Sequence, residues 1–363
     1  MSRETLDSVD IETVPSPSRR ALLRRAAGSG ALLSVAATLG LPSDGHAAES
    51  GAYPSHPKWN FVFVNHVTTN PFFVPTRYGI ADACELLGCT YQWTGSQTSV
   101  ASEMVNSMNA AIASRADGIA IALVDRNAFD APVDRALRQG IPVFSYNADD
   151  DNNRLAYVGQ ELFLAGKAVG QRMVELVGAG EIAGFIATPG QLNIQPRLDG
   201  AKAAIEESGK DITLHETATG ATINEEFSRV ESFYLGHQDL KGMFAVDAGS
   251  TAAVAKTMKK HGLSGKGIRA GGFDLLPGTL NGIDQGHLDF TVDQQAYLQG
   301  FYTVLEMFMF KVSGGLTGPG NINTGLKFVT ADNVTPYLEE KSRFQGNAEA
   351  RKLLDRSGPI VVG

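Results

Sequence analysis

Cysteine is scarce: Cys84 and Cys89, in C-E-L-L-G-C, are the only two in a chain of 363 residues. A C-x4-C pair with no third or fourth ligand is not a zinc site. An oxidising compartment would permit a disulfide. Cys84, however, falls late in a helical run and Cys89 opens the next strand, so their Cβ atoms need not face each other and two buried thiols are the better reading. Charge is also modest, at 19% of residues, with a formal net charge of −8. The first 48 residues hold five of the 31 basic and five of the 39 acidic side chains, so the remaining 26 and 34 carry the whole −8. An acidic body without a basic stripe argues against nucleic acid or an anionic membrane as partner and favours a neutral small molecule. The marks of nucleotide, cofactor and hydrolytic enzymes are missing too. No G-x-G-x-x-G follows the first strand, G-x-x-x-x-G-K-[ST] does not occur (the run 262–267 has the wrong spacing and no final Ser or Thr), and neither does G-x-S-x-G. Seven histidines show neither H-E-x-x-H nor any metal spacing. No cofactor is expected, and an exported α/β enzyme is the minor alternative.

What is present begins with a leader. Ser18-Arg19-Arg20-Ala21-Leu22-Leu23 is a twin-arginine pattern, followed by a weakly apolar Ala/Gly/Leu-rich run over 26–41 and small residues at Ala47 and Ala48. This resembles a Tat export signal over residues 1–48, with the mature chain starting near Ala48 or Glu49. A membrane anchor is the weaker reading, because the run is shorter than the ~20 residues that span a bilayer and no further long apolar segment follows.

The rest of the chain, 43% hydrophobic overall, has the size and composition of about two globular domains. Its organising stretch is V-N-H-V-T-T-N-P-F-F at 64–73. The β-rich run 59–64 predicts a buried strand, Pro71 and Pro75 stop it, and apolar residues at helical spacing over 74–87 end at Gly88, a helix-terminating glycine. The pattern then alternates: strands at 90–94, 118–124 and 142–146, helices at 100–115 and 128–139, and an extended run at 155–160. A second set has helices at 162–177, 196–208, 224–235, 250–261 and 277–285, with strands at 181–188, 212–216, 242–246, 269–273 and 290–292. An amphipathic helix follows at 297–311, then a Gly/Pro-rich stretch at 313–325 that reads as surface loop, and the tail from 331 carries no clear pattern. This predicts an α/β fold of two Rossmann-like lobes with parallel sheets joined by a three-segment hinge. The lobes are expected at 49–159 with 294–323, and at 160–293 with 324–363.

In such sheets ligands bind beyond the carboxyl ends of the strands. Phe72 and Phe73 follow the first strand, and Asn147 follows the strand at 142–146. In the second lobe Asp247 ends F-A-V-D, Asp274 ends G-G-F-D, Gln294 ends T-V-D-Q, and Arg197 starts a helix. Each has a bland alternative. The two rings can be core residues at a helix entry, each lone Asp can be a helix cap, and His66 reads as a packed or hydrogen-bonded histidine. Recurrence of polar residues at one edge of both lobes favours a binding cleft.

The residues N-P-F-F at 70–73, A-D-G-I at 116–119, G-I-P-V at 140–143, R-L-D-G at 197–200, F-A at 244–245 and G-F-D at 272–274 resemble, in order and spacing, the type I periplasmic sugar-binding proteins of ABC importers, the ribose- and xylose-binding group. The resemblance runs from about Asn60 to Val329. It implies aromatic stacking by Phe72 and Phe73 and hydroxyl recognition by Asn70, Asn147, Arg197, Asp247, Asp274 and Gln294. It also implies no catalytic or metal site, membrane-bound ABC permease subunits as partners, a monomer, and a periplasmic or other extracytoplasmic location. Departures bear on the ligand. Ribose binders resemble D-R where this chain has Asn147-Ala148, N-D becomes Asp247-Ala248, and the aromatic expected near 221–223 is missing. A neutral monosaccharide other than ribose, or a sugar alcohol such as xylitol or threitol, is the expected ligand. A periplasmic sensor or chemoreceptor domain is the alternative role.

Overall fold

A computed structural model describes residues 55–338, so the twin-arginine segment and the tail beyond 338 lie outside the described residues. The first strand, β1 (Asn60–Asn65), is apolar and buried at all but its first residue. A single 3-10 turn, Pro71–Phe73, leads into α1 (Val74–Leu87), which ends on left-handed Gly88. Then come β2 (Thr90–Gly95), α2 (Ala101–Ala113), β3 (Gly118–Ile121), α3 (Asp130–Arg138), β4 (Val143–Tyr146) and β5 (Tyr157–Gly159). The second set is α4 (Leu162–Val177), β6 (Gly180–Ile186), α5 (Gln195–Glu207), β7 (Ile212–Ala218), α6 (Ile223–Gly236), β8 (Gly242–Ala245), α7 (Ala248–His261), β9 (Arg269–Phe273), α8 (Pro277–Asp284) and β10 (Phe290–Asp293). Next come α9 (Ala296–Ser313), β11 (Asn321–Asn323) and β12 (Lys327–Val329), and the described residues end in a 3-10 turn, Thr335–Leu338.

These strands make two six-stranded sheets, in the orders β11-β5-β4-β3-β1-β2 and β12-β10-β9-β8-β6-β7. Every pairing is parallel except β12 on β10. Parallel strands covered on both faces must be apolar throughout, which is why β1, β3, β4, β8 and β10 carry unbroken or nearly unbroken buried runs. In each sheet the strand order reverses once, beside β1 in the first and beside β6 in the second, and the crevice at such a switch point receives ligands.

One expectation is corrected. The stretch 313–325 is not all loop, since Asn321–Asn323 is β11 and pairs with β5 as the outer strand of the first sheet. Asn321 and Asn323 are polar and exposed, Ile322 between them is only partly buried, and the run lies among glycines and a proline, so only backbone pairing makes it a strand. Cys84 and Cys89 are both buried free thiols, pushed up to about 12 and about 11 chiefly by burial.

Three segments cross between the lobes and are tied to one another. Thr324 N donates to Gly159 O (2.9 Å), Gln160 Nε2 donates to Gly325 O (3.1 Å), and Gln295 Nε2 donates to Thr324 O. Gln295 itself sits in the left-handed region, at φ 56°, where β10 hands over to α9.

Candidate ligand-binding cleft

The wall from the first lobe is built where β1 ends. Asn70 Oδ1 accepts from Phe72 N (2.9 Å) and so fixes the 3-10 turn, leaving its amide N–H₂ as the free donor. The turn delivers two rings with different fates. Phe73 is a core residue, 2% exposed, perpendicular to His66 at 5.3 Å and to Phe72 at 4.7 Å. Phe72 is only partly buried and offers the accessible ring. His66 lies at the same strand end, 5% exposed, and burial pushes its imidazole down to about 3, so it is neutral. Asn147, immediately after β4, has a positive φ of 64° that Asn tolerates, and its N–H still pairs with Val158 O (3.1 Å).

The second lobe supplies the formal charges. Arg197 is held by close packing of α4 on α5, where a Cβ on Gly166 would fall 1.9 Å from the Arg197 carbonyl oxygen. Its guanidinium is buried, stacks 4.3 Å from the centre of the Phe273 ring, and donates to Val246 O and to Gln160 Oε1, both at 3.1 Å. Asp247 caps α7: its Oδ1 accepts from Ser250 N (2.8 Å) and its Oδ2 from Ala187 N (2.9 Å). The helix-cap alternative is therefore true of Asp247, and the same carboxylate faces the cleft. Asp274, directly after β9, takes φ 75° while its N–H pairs with Val292 O (2.8 Å). Burial outweighs the nearby Arg197 and lifts its carboxyl to about 6.

Gln294 joins the walls. Its Nε2 donates to Asp274 Oδ1 (2.6 Å), and its Oε1 accepts from Gln299 Nε2 (2.9 Å) and, at 3.5 Å, from Asn147 Nδ2. The lobes also meet away from the hinge, through the loop that follows β6. There Leu192 N donates to Val124 O (3.0 Å), Gln191 Nε2 to Ser99 Oγ (2.8 Å), and Asn193 Nδ2 lies 3.2 Å from His66 Nε2. Because an amide nitrogen donates, His66 Nε2 accepts and the ring proton sits on Nδ1.

All eight residues singled out from the sequence, Asn70, Phe72, Phe73, Asn147, Arg197, Asp247, Asp274 and Gln294, border one cavity between the lobes. Sequence reasoning left out Ser99, Gln191, Asn193 and Glu226, which border it as well, and so does His66, weighed above as a packed histidine. Gln191 and Asn193 stand in the loop between β6 and α5, which opens with T-P-G-Q at 188–191. Glu226 had a fainter signal: T-x-x-E at 222–225 marks the start of α6, where Thr222 Oγ1 accepts from Glu225 N and donates to the Glu225 carboxylate, and the glutamate next in line borders the cavity. Three cavity-lining atoms, His66 Nδ1, Asn193 Oδ1 and Arg197 Nε, are buried with no hydrogen-bond partner in the protein. Arg77, Arg126 and Arg154 do not border the cavity, and Arg154 is paired with Asp149. With Arg197 facing Asp247 and Asp274, the wall is slightly negative and lacks a cluster of cations for a phosphate or carboxylate.

Two α/β lobes on a three-segment hinge with a polar, aromatic-edged cleft at the carboxyl ends of both sheets define a solute-binding protein. The chain belongs to the periplasmic binding protein family, whose domain matches residues 61–310; this is a family of extracytoplasmic binding proteins, not of enzymes. It is 51% identical over 318 residues to the xylose/arabinose-binding protein XylF of Sulfolobus acidocaldarius, a match covering 83% of this chain and 78% of that protein. Among solved structures it is similar to an ABC transporter solute-binding protein from Burkholderia graminis C4D1M in complex with D-arabinose (27% identity, TM-score 0.73, covering 79% of this chain and all of that one). The glucose-galactose binding protein GanP of Geobacillus stearothermophilus shares the fold at 23% identity and TM-score 0.70, over 77% of this chain and 99% of its own.

Proposed function

We propose that this protein is the sugar-binding component of an ABC importer, that it closes its lobes around a neutral pentose of the xylose or arabinose type, and that the eight residues named above, with His66 and Asn193, make the contacts. The observation that carries this is the convergence of all eight on one cavity at the carboxyl ends of both sheets, with an accessible ring from one lobe and charged hydrogen-bonding groups from the other. A sugar presents C–H surface to a ring face and hydroxyls that carboxylates accept from and a guanidinium donates to. The three unpartnered atoms comprise two N–H donors and one carbonyl acceptor, a set that hydroxyls satisfy because each both donates and accepts. The relation to a protein named for xylose and arabinose favours a pentose, and linear polyols with the same hydroxyls are its competitors. Secretion through the twin-arginine signal and docking, as a monomer, on membrane-bound permease subunits complete the proposal.

A thermal-shift panel tests it. D-xylose, L-arabinose or D-arabinose should raise the melting temperature, by the equivalent of about 2.7 kcal/mol at a hundred times Kd. Xylitol and ribose should shift it less, and aldonates, uronates and sugar phosphates should be silent. A third negative charge beside Asp247 and Asp274 would be offset by one guanidinium only. A panel that picks out a uronate or a phosphorylated sugar overturns the assignment.

A further inference from the structure

Glu226 is the one titratable residue of the cleft wall, His66 aside, to which neither the resemblance nor the strand-end pattern gives a role. It lies in the first turn of α6, 6% exposed, and borders the cavity. Its carboxyl rests on the first turn of α7, where a Cβ on Gly249 would fall 1.9 Å from Glu226 Oε2, and it lies beside the carboxyl of Asp247, the cap of that helix. Two carboxyl groups buried side by side cannot both stay ionised, so one of them holds a proton. Both oxygens of Asp247 already accept a backbone N–H, from Ser250 and from Ala187, which is the bonding of an ionised carboxylate. The proton therefore belongs to Glu226.

We propose that Glu226 is a specificity-determining residue: a neutral carboxylic acid that donates to Asp247 and offers its remaining oxygen to a sugar hydroxyl. This rests on the reading of the cleft as a pentose site. The placement explains what stands in for the missing aromatic near 221–223. Ala221 leaves space, and the wall there meets a hydroxyl in place of a C–H face. The charges acting on Glu226 are acidic, Asp247 at the start of α7 and Glu225 on its own helix, and Arg197 and Asp274 act on Asp247 in turn. Burial and the adjacent Asp247 accordingly push Glu226 up to about 9. A sugar that seals the pair from water holds the proton more tightly still. Affinity should then be level near neutrality and fall with rising pH once free Glu226 ionises.

The experiment pairs Glu226→Gln, which keeps a donor for Asp247, with Glu226→Ala, and has two readouts. The first is melting without ligand from pH 6.5 to 9. A folded-state value of about 9, above the ordinary 4.5, means stability is fully present below 4.5 and lost as pH rises through 9. Asp274 and Asp293, lifted to about 6, complete their changes below this range, His66 changes between about 3 and 6.5 and so ends at its lower edge, and the two cysteines change from 9 upward, at its upper edge; Glu226→Gln keeps all of these and cancels them in the comparison. The wild type should lose several degrees across the range and Glu226→Gln should stay nearly level; parallel curves overturn the proton assignment. The second readout is calorimetric affinity for D-xylose and L-arabinose at pH 7 and pH 10. Wild-type affinity should fall about tenfold. Glu226→Gln should show a flat profile, and Glu226→Ala should bind about tenfold more weakly at pH 7, with Gln recovering most of that loss. Wild-type affinity in Glu226→Ala removes Glu226 from the site and leaves the pentose reading standing. If neither sugar binds the wild type, the pentose reading falls together with the sugar contact, and the ligand-free melting curves still decide the proton.

Discussion

The two lobes end a strand with the same backbone device and hang different chemistry on it. After β4, Asn147 turns into the left-handed region while its N–H pairs with the neighbouring β5; after β9, Asp274 does the same against β10. Both side chains then meet Gln294, so the amide of the first lobe and the carboxylate of the second lie on one hydrogen-bonded chain through the hinge. The difference extends across the cleft. The first lobe contributes Phe72, Phe73, His66, Asn70 and Asn147, all neutral, and the second contributes Arg197, Asp247 and Asp274, with Glu226 beside them. Shape selection is thus assigned to one half and charge-assisted hydrogen bonding to the other. On the proposed reading a ligand gains the full set only when the lobes close, and occupancy is thereby coupled to conformation.

The largest effect should come from removing the charge that organises the second lobe. Arg197→Ala deletes the fork that holds Val246 O and Gln160 Oε1 and leaves Asp274 without its cation. Truncating one partner of a buried charged set costs about 3–5 kcal/mol, and a charged hydrogen bond to a ligand about 1.5–3 kcal/mol. Calorimetry should find pentose binding reduced more than tenfold, with melting still cooperative but lower. Wild-type affinity would show that the guanidinium serves the fold alone.

A charge exchange probes the comparison directly. Asp274→Asn keeps an acceptor for Gln294 Nε2 but removes the carboxylate beside Arg197, and should weaken binding by about 1.5 kcal/mol, roughly tenfold. Asn147→Asp replaces a donor with a carboxylate that faces the carbonyl oxygens of Gln294 and Gln299, with a loss of similar size. The double variant has the same net charge as the wild type. If the two positions were interchangeable it would bind normally; since Arg197, the one cation among the described residues that border the cavity, lies in the second lobe, it should remain at least tenfold weaker. Recovery of wild-type affinity in the double variant refutes the division of labour.

The legibility of this chain in its sequence follows the same physics. Elements whose residues bury an apolar face were plain: α1 and α4 lie at 74–87 and 162–177 as the periodicity placed them, and β9 lies at 269–273. The short edge strand β11 was not, because N-I-N buries little and forms only by backbone pairing with β5. Cavity-lining residues within two positions of a strand end, Asn147, Asp247, Asp274 and Gln294, could be found because the sheet geometry fixes where strand ends point. Gln191, Asn193 and Glu226 reach the cavity from loop and helix positions whose direction depends on packing between lobes and between helices, and no local pattern encodes that. The bland alternatives were partly true as well. Phe73 is core, and Asp247 is a cap that also borders the cavity.

The smallest effect is expected at the contacts that hold the lobes together outside the hinge. Asn193 belongs to the second lobe and His66 to the first, and the only bond between them is a neutral amide to a neutral imidazole. Leu192 N on Val124 O and Gln191 on Ser99 share the task, so losing one of the three should remove about 1 kcal/mol from the closed state, the net worth of a typical hydrogen bond. Asn193→Ala should therefore leave folding and site chemistry in place and shift the open–closed balance. Apparent affinity, which scales with the closed fraction, should drop about fivefold. His66→Asn/Asn193→Ala should lose little beyond the sum of any direct His66 contact, because the cross-lobe bond is already gone in the single variant. Small-angle scattering separates this from simple damage to the cleft. At saturating sugar the Asn193→Ala radius of gyration should fall as far as that of the wild type, with more sugar needed to reach the midpoint. An unchanged midpoint would mean that this pair contributes nothing to closure, and a radius that never falls in either protein would mean that the lobes do not close on their ligand at all.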